Sequence, residues 1–98
     1  MEKGYVYIMT TKTNSALYIG VTSNLQKRVN EHKNHNYTGF TDKYNCTKLV
    51  YFEEFNDIAT AIKREKQLKN WHRSWKNNLI NSFNADWKDL AADFEPSS

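Results

Sequence analysis

Cysteine and proline are almost absent from this chain, which has one of each in 98 residues. The single cysteine, Cys46, cannot form an internal disulfide or a zinc site, so we expect it to pack as a small strand residue. The sequence has no run of eighteen apolar residues and no basic leader followed by an apolar stretch. This predicts neither a membrane span nor a secretory signal, and we expect a cytoplasmic protein with no membrane partner.

The length of the chain favours one domain, because chains of about 100 residues rarely bury enough apolar surface for two cores. The segment after Phe83 is acidic and ends in proline and serine. We therefore expect a single domain over residues 1–94 and a frayed tail over residues 95–98.

Acidic residues are scarce in the stretch from Ile58 to Ser82, which has six lysines or arginines and one acid, Glu65. A concentration of positive charge favours a polyanion such as nucleic acid as partner. An ordinary solvated helix surface is the alternative. The candidate nucleic-acid contacts in this stretch are Lys63, Arg64, Lys66, Lys69 and Arg73.

Two segments near the start alternate apolar and other residues with the period of a strand, Gly4 to Thr10 and Leu17 to Val21. They predict an antiparallel hairpin. If Val6 and Ile8 face the core, Tyr7 and Tyr18 lie side by side on the opposite face, because side chains alternate along each strand.

The next segment has the features of a helix start at Ser23-Asn24-Leu25-Gln26, a capping-box pattern. The predicted helix runs to about Asn34 and carries Arg28 and His32 one turn apart. A loop is expected over His35–Asn45, and a third strand over Leu49–Glu53.

A second helix is predicted after Asn56 or Asp57, either of which could cap it. Its apolar stripe consists of Ile58, Ala61, Ile62 and Leu68. Glu65 falls on the same stripe, where a carboxylate needs a cation or a basic side chain to balance its charge.

A third helix is indicated by Trp71, Trp75, Leu79 and Phe83, which recur every four residues. We interpret this stripe as core packing in preference to a base-stacking surface. The elements together predict an α+β fold with a three-stranded antiparallel sheet flanked by three helices, in the order β-β-α-β-α-α.

The ordered set of tyrosines, arginine, histidine and acid resembles the GIY-YIG nuclease superfamily. Its two signatures correspond to Tyr5-Val6-Tyr7, preceded by Gly4, and to Tyr18-Ile19-Gly20. The likeness is closest to small stand-alone members, which are similar to the N-terminal nuclease domain of excinuclease C. The first signature departs from the Gly-Ile-Tyr of the family name. Many members also use one asparagine downstream of the acidic residue, and four asparagines of this sequence are candidates for that role: Asn77, Asn78, Asn81 and Asn84.

The resemblance implies hydrolysis of nucleic-acid phosphodiester bonds by an endonuclease, with DNA ahead of RNA as substrate, a role in DNA repair, and Mg²⁺ or Mn²⁺ as cofactor. Glu65 would hold the metal, and Arg28 would meet the scissile phosphate through its planar donors. The base that activates water stays open between Tyr7, Tyr18 and His32. We expect a monomer or a weak homodimer.

Each of these residues also has a structural interpretation. The tyrosines could pack in the core, Arg28 and His32 could form a solvated helix face, and Glu65 could pair with Arg28. A second function is also open, a nucleic-acid-binding module on the same scaffold that no longer cleaves.

Overall fold

The computed structural model describes residues 2–34 and 45–94. Three strands and three α-helices occur there in the predicted order, which confirms the α+β class. They are β1 (Gly4–Thr10), β2 (Leu17–Thr22), α1 (Leu25–Lys33), β3 (Lys48–Phe55), α2 (Ile58–Lys69) and α3 (Arg73–Phe83), followed by a 3₁₀ helix over Leu90–Asp93. The predicted loop lies outside the described residues except for Asn45, as does the predicted tail. The division into a domain and a tail stays a prediction.

The three strands form one antiparallel sheet in the order β2-β1-β3. The central strand β1 pairs with β2 in a regular register that sets Tyr7 opposite Gly20. On its other side β1 pairs with β3, with one irregularity between Ile8 and Met9. The signature residues of the hairpin therefore share the middle and one edge of the sheet.

Both faces of the sheet are buried, where the sequence predicted one core-facing side. Val6 and Ile8 belong to one cluster, together with Leu68 and Ile80. The opposite face carries a second cluster, in which Tyr7 packs with residues that include Leu25, Val29 and Cys46. The expectation of a single core side was wrong, because α1 and the segment before β3 cover the tyrosine face.

Helix α1 begins one residue later than a Ser23 cap would place it. Asn24 is the N-cap, and its side-chain oxygen accepts a hydrogen bond from the backbone N–H of Lys27 at 3.1 Å. Helix α2 is capped by Asp57, whose carboxylate accepts from the backbone N–H of Thr60 at 2.8 Å. Both helices thus start at side chains that satisfy otherwise unpaired N–H groups.

Helix α2 packs closely against the start of β1. A Cβ at Gly4 would lie 2.7 Å from the Cβ of Ala61, so this contact requires glycine. Ala61 and Leu68 are buried as predicted, but Ile62 is 37% exposed. The prediction for Ile62 was wrong, because this residue lies on the flank of the helix and not on its packed side.

Helix α3 exposes two aromatic residues that the sequence assigned to the core, Trp75 and Phe83, at 54% and 49%. The buried residue is Ile80, and Trp71 precedes the helix. The reason is geometric. Ile80 marks the packed side of α3, and Trp75, five residues earlier, lies about 140° from it around the helix, while Phe83 is the last residue of the helix. The core-packing interpretation was therefore wrong at both residues.

No helix in the described part of the chain is long and apolar enough to cross a membrane.

Candidate active site

Three rings meet on the face of the sheet that α1 covers. The hydroxyl of Tyr7 and Nε2 of His32 are 3.0 Å apart in a buried hydrogen bond. The Tyr18 ring centroid lies 6.2 Å from that of Tyr7 and 5.3 Å from that of His32. The structure therefore brings together two strand tyrosines and a helix histidine from the predicted set.

The three rings differ in access to solvent. Tyr7 is fully buried and His32 is 3% exposed, whereas Tyr18 is half-buried. Of the three candidates for the base, Tyr18 is thus the one whose surface is open to a substrate.

Gly20 makes the position of the Tyr7 ring possible. It pairs directly with Tyr7 across the hairpin. A Cβ at this position would come under 3.0 Å from three atoms of the Tyr7 side chain, the hydroxyl oxygen among them. Sequence reasoning named Gly20 as part of a signature but gave it no role, although its cross-strand partner could be read from the hairpin register.

His32 is held neutral by its surroundings. Burial, followed by the charge of Arg28, lowers the pKa of His32 to about 4. Near neutral pH the imidazole therefore carries no charge. It either donates a hydrogen bond to the Tyr7 hydroxyl or accepts one from it, depending on which ring nitrogen carries the proton.

Arg28 lies one turn before His32, at the surface end of the cluster. Its Nε donates to a Glu31 carboxylate oxygen at 3.1 Å, and its side chain is 30% exposed. Arg28 and Lys27 line a small polar depression of about 130 Å³, which Thr22 and Glu31 also border. Two cations and one carboxylate border this depression, so its net charge is positive, which suits a phosphate group.

Glu65 pairs with a lysine of its own helix, and this pair differs from the Arg28 pair considered above. Nζ of Lys69 is 3.0 Å from a Glu65 carboxylate oxygen, and the Glu65 side chain is only 14% exposed. Lys69 also lines a depression of about 290 Å³ that includes Tyr18. Lys69 thus links the acid on α2 to the accessible tyrosine on β2.

Lys76 borders the same depression, together with Leu17 and Ile19. Sequence reasoning did not name it as a site residue. Its position depends on how α3 packs beside β2, and no local pattern in the sequence carries that information.

The remaining basic candidates fall into two groups. Arg64 is engaged within the fold: it donates to Glu53 at 2.9 Å and its guanidinium lies 5.2 Å from the Trp71 ring centroid. Arg73 likewise donates to the backbone oxygens of Asn14 and Ser15. Lys63 and Lys66 are exposed.

Three of the four downstream asparagines have structural partners. Asn84 is buried and donates to the backbone oxygens of Val50 and Lys88. Asn81 accepts from the Trp87 indole, and Asn77 accepts from Arg73. Asn78 instead lines a surface depression beside the exposed tryptophan of α3.

The donor set fits a hard divalent cation. Within the described ranges, 2–34 and 45–94, no three or more His, Cys, Asp or Glu residues cluster as metal ligands. Mg²⁺ is commonly held through one or two carboxylates with several waters retained, and Glu65 offers one such carboxylate at a partly open position.

Comparison with known proteins gives the same family as the motifs. Residues 3–79 match the family model described as the GIY-YIG catalytic domain. The chain therefore belongs to the GIY-YIG family, a family of nucleases.

Relatives of similar length also match the chain. It is 37% identical over 81 residues to a UPF0213 protein of Syntrophus aciditrophicus, covering 82% of this chain and 92% of that one.

A UPF0213 protein of Clostridium perfringens is 42% identical over 78 residues, or 80% of this chain and 83% of that protein. A solution NMR structure of a UPF0213 protein from Bacillus halodurans matches with a TM-score of 0.57 and 21% identity, covering 96% and 99% of the two chains. The structural match shows the shared fold, and the sequence matches confirm the resemblance to small members of the family.

Proposed function

We propose that this protein is a divalent-metal-dependent endonuclease that hydrolyses nucleic-acid phosphodiester bonds, DNA in preference to RNA, in the cytoplasm. The observation that supports this best is the basic depression around Tyr18. The accessible tyrosine lies there beside Lys69, the partner of Glu65, and its ring contacts the buried Tyr7 and His32 pair. A purely structural tyrosine would not need this basic surface.

The residues divide over the tasks that phosphodiester hydrolysis imposes. Tyr18 positions the attacking water and takes part in its deprotonation, since this residue lines the open depression. Arg28 binds the phosphate with its planar donors. Lys69 and Lys76 add positive charge to the depression around Tyr18 and attract the polyanionic substrate there.

Tyr7 and His32 act as positioning residues. Their hydrogen bond is buried and fixes both rings. Both rings pack against the Tyr18 ring, so they limit the directions in which its hydroxyl can point. Water has little access to either of them, because Tyr7 is fully buried and His32 nearly so.

Glu65 is the residue that would hold Mg²⁺ or Mn²⁺. When bound there, the cation supplies charge neutralisation and polarisation of the phosphate. The ion pair with Lys69 holds the carboxylate in place in the meantime. An ion pair whose lysine reaches solvent contributes about 0–1 kcal/mol of stabilisation, and the free energy of metal binding can exceed that amount.

The test is cleavage of supercoiled plasmid, branched DNA, single-stranded DNA and RNA with Mg²⁺, with Mn²⁺ and with chelator. Glu65→Gln should lose at least about 100-fold in rate. Glu54→Gln is the matched control, because Glu54 also pairs with one lysine, Lys3, but on the far edge of the sheet. Absence of metal-dependent cutting on every substrate, or full activity of Glu65→Gln, would refute the proposal.

A second function, a nucleic-acid-binding module that does not cleave, has one observation in its favour. Lys69 neutralises Glu65 at 3.0 Å, so the carboxylate already has a partner on its own helix. In that case the protein binds nucleic acid with strong salt dependence, and neither cation produces turnover.

A further inference from the structure

The exposed side of α3 carries an aromatic surface that the proposed catalytic residues do not use. Trp75 is 54% exposed although tryptophan is among the largest apolar side chains. It borders a depression of about 300 Å³ whose other walls are Trp71, Asn78 and Leu79. That volume is at the lower end of the range for ligand pockets in proteins.

Trp75 is oriented by its neighbours without being stacked upon. The Trp71 ring is 5.8 Å away and inclined by 82°, and the His72 ring is 5.8 Å away and inclined by 89°. Neither ring lies flat on the indole. The Arg64 guanidinium lies 5.2 Å from the centroid of the Trp71 ring. Arg64 is in turn held by its ion pair with Glu53, so the position of Trp71 is restricted.

The segment that carries the tryptophan has positive charges only. Between Lys66 and Ala85 the sequence has four basic residues and no acid: Lys66, Lys69, Arg73 and Lys76. Lys76 directly follows Trp75 in α3 and lines the depression that contains Tyr18. Successive residues of an α-helix point about 100° apart, so the aromatic and basic depressions lie on adjacent sides of one helix.

We propose that the depression at Trp75 receives an unpaired nucleobase of the substrate, stacked on the indole, while the adjoining phosphates follow Lys76 and Lys69 toward Tyr18. An aromatic face beside a basic groove is the combination that binds single-stranded nucleic acid. Asn78 offers an amide that can hydrogen-bond the edge of a base. The inference rests on the proposed nucleic-acid function and adds to it a substrate class, strands with unpaired bases near the cut.

The experiment measures binding in chelator, where no cleavage occurs, by fluorescence anisotropy of a labelled single-stranded DNA. The same strand with abasic sites and a fully paired duplex are run beside it. Trp75→Leu should weaken binding of the intact strand roughly tenfold, and leave the abasic strand and the duplex within about twofold. Trp75→Tyr should retain most of the affinity.

Phe83→Leu is the matched control, because Phe83 is a similarly exposed aromatic of α3 that packs on Tyr51 and Phe52. It should change binding by less than about twofold, since stacking of bases is assigned to Trp75 alone. Circular dichroism and thermal unfolding check that each variant is folded.

Equal loss of affinity on the intact and abasic strands, or no loss at all, overturns the inference. A change in sedimentation of Trp75→Leu without a base-dependent effect also overturns it, because the surface is then a protein contact. These outcomes are independent of the cleavage test: wild-type protein can bind bases through Trp75 and fail to cut, or cut and bind without Trp75.

Discussion

Tyr7 and His32 are joined by a 3.0 Å hydrogen bond that is closed off from solvent, although the two residues are 25 positions apart. Tyr7 is the tyrosine of the first signature, and its burial separates its role from that of Tyr18 in the second. One tyrosine anchors the cluster, and the other faces the surface. Substitutions at the two should therefore have different consequences.

Removing each tyrosine hydroxyl in turn tests this division. Tyr18→Phe should lower kcat by about 100-fold or more with little change in stability, since the loss of a positioned acid or base typically costs 10²–10⁴ in rate. Tyr7→Phe should lower the free energy of unfolding by about 1–2 kcal/mol, because it removes a buried hydrogen bond, and lower kcat less. Single-turnover cleavage and urea denaturation measure the two effects. A larger rate loss for Tyr7→Phe would contradict the assignment.

The stability of the protein should fall in mild acid because of His32. Its pKa is about 4 in the folded state, against about 6.5 in an unfolded chain. Between these values the unfolded state binds more protons, so stability decreases as the pH drops from 6.5 toward 4. From pH 7 to pH 5 the loss from this residue should be about 2 kcal/mol.

Urea denaturation at pH 5, 6 and 7 measures that slope. His32→Gln keeps an amide that can bond to the Tyr7 hydroxyl and should remove most of the pH dependence in this range. His72→Gln is the control, because His72 is exposed, and it should leave the slope unchanged. An unchanged slope in His32→Gln would assign the pH dependence to other groups.

Gly20→Ala should destabilise the protein by about 2 kcal/mol, because the new methyl group would overlap the Tyr7 side chain. The cost should be smaller in a Tyr7→Leu background, which lacks the three atoms that a Cβ would meet. A double-mutant cycle by urea denaturation measures the coupling. Strictly additive effects would show that the Tyr7 ring is not what requires glycine at this position.

Lys76 should contribute more to nucleic-acid binding than Lys63, although the sequence favoured Lys63. Lys76 lines the depression around Tyr18, and Lys63 is an exposed residue of α2. Lys76→Gln should weaken binding and reduce the slope of log K against log salt by about 1, with Lys63→Gln as the matched control. An equal effect of the two substitutions would indicate a diffuse basic surface.

Local patterns were sufficient to predict the order of the elements. The alternation in β1 and β2, and the side-chain cap at Asp57, are properties of short segments, and each strand or helix formed where such a signal occurs. The side-by-side tyrosines also followed from alternation, because the hairpin fixes which residues share a face.

Packing between distant segments could not be predicted in the same way. The exposure of Trp75 depends on where α3 contacts the sheet. The Glu65–Lys69 pair, in contrast, is an i, i+4 pair within α2, and the spacing in the sequence was sufficient to predict it. The place of Lys76 beside Tyr18 joins two elements that are far apart in the sequence, and no periodicity reports such a contact. The motifs named most of the candidate residues, but not their burial.

The edge position of β2 has a consequence for how a polymer can reach the site. Tyr18 contacts His32 on the face covered by α1, yet it also borders the depression formed with Lys69 and Lys76 from the opposite face. The edge position of β2 allows this, because a residue of an edge strand can border groups on both sides of the sheet. Under the proposed function, a strand of nucleic acid would pass along this rim of the sheet, and its ends would not have to thread through the protein.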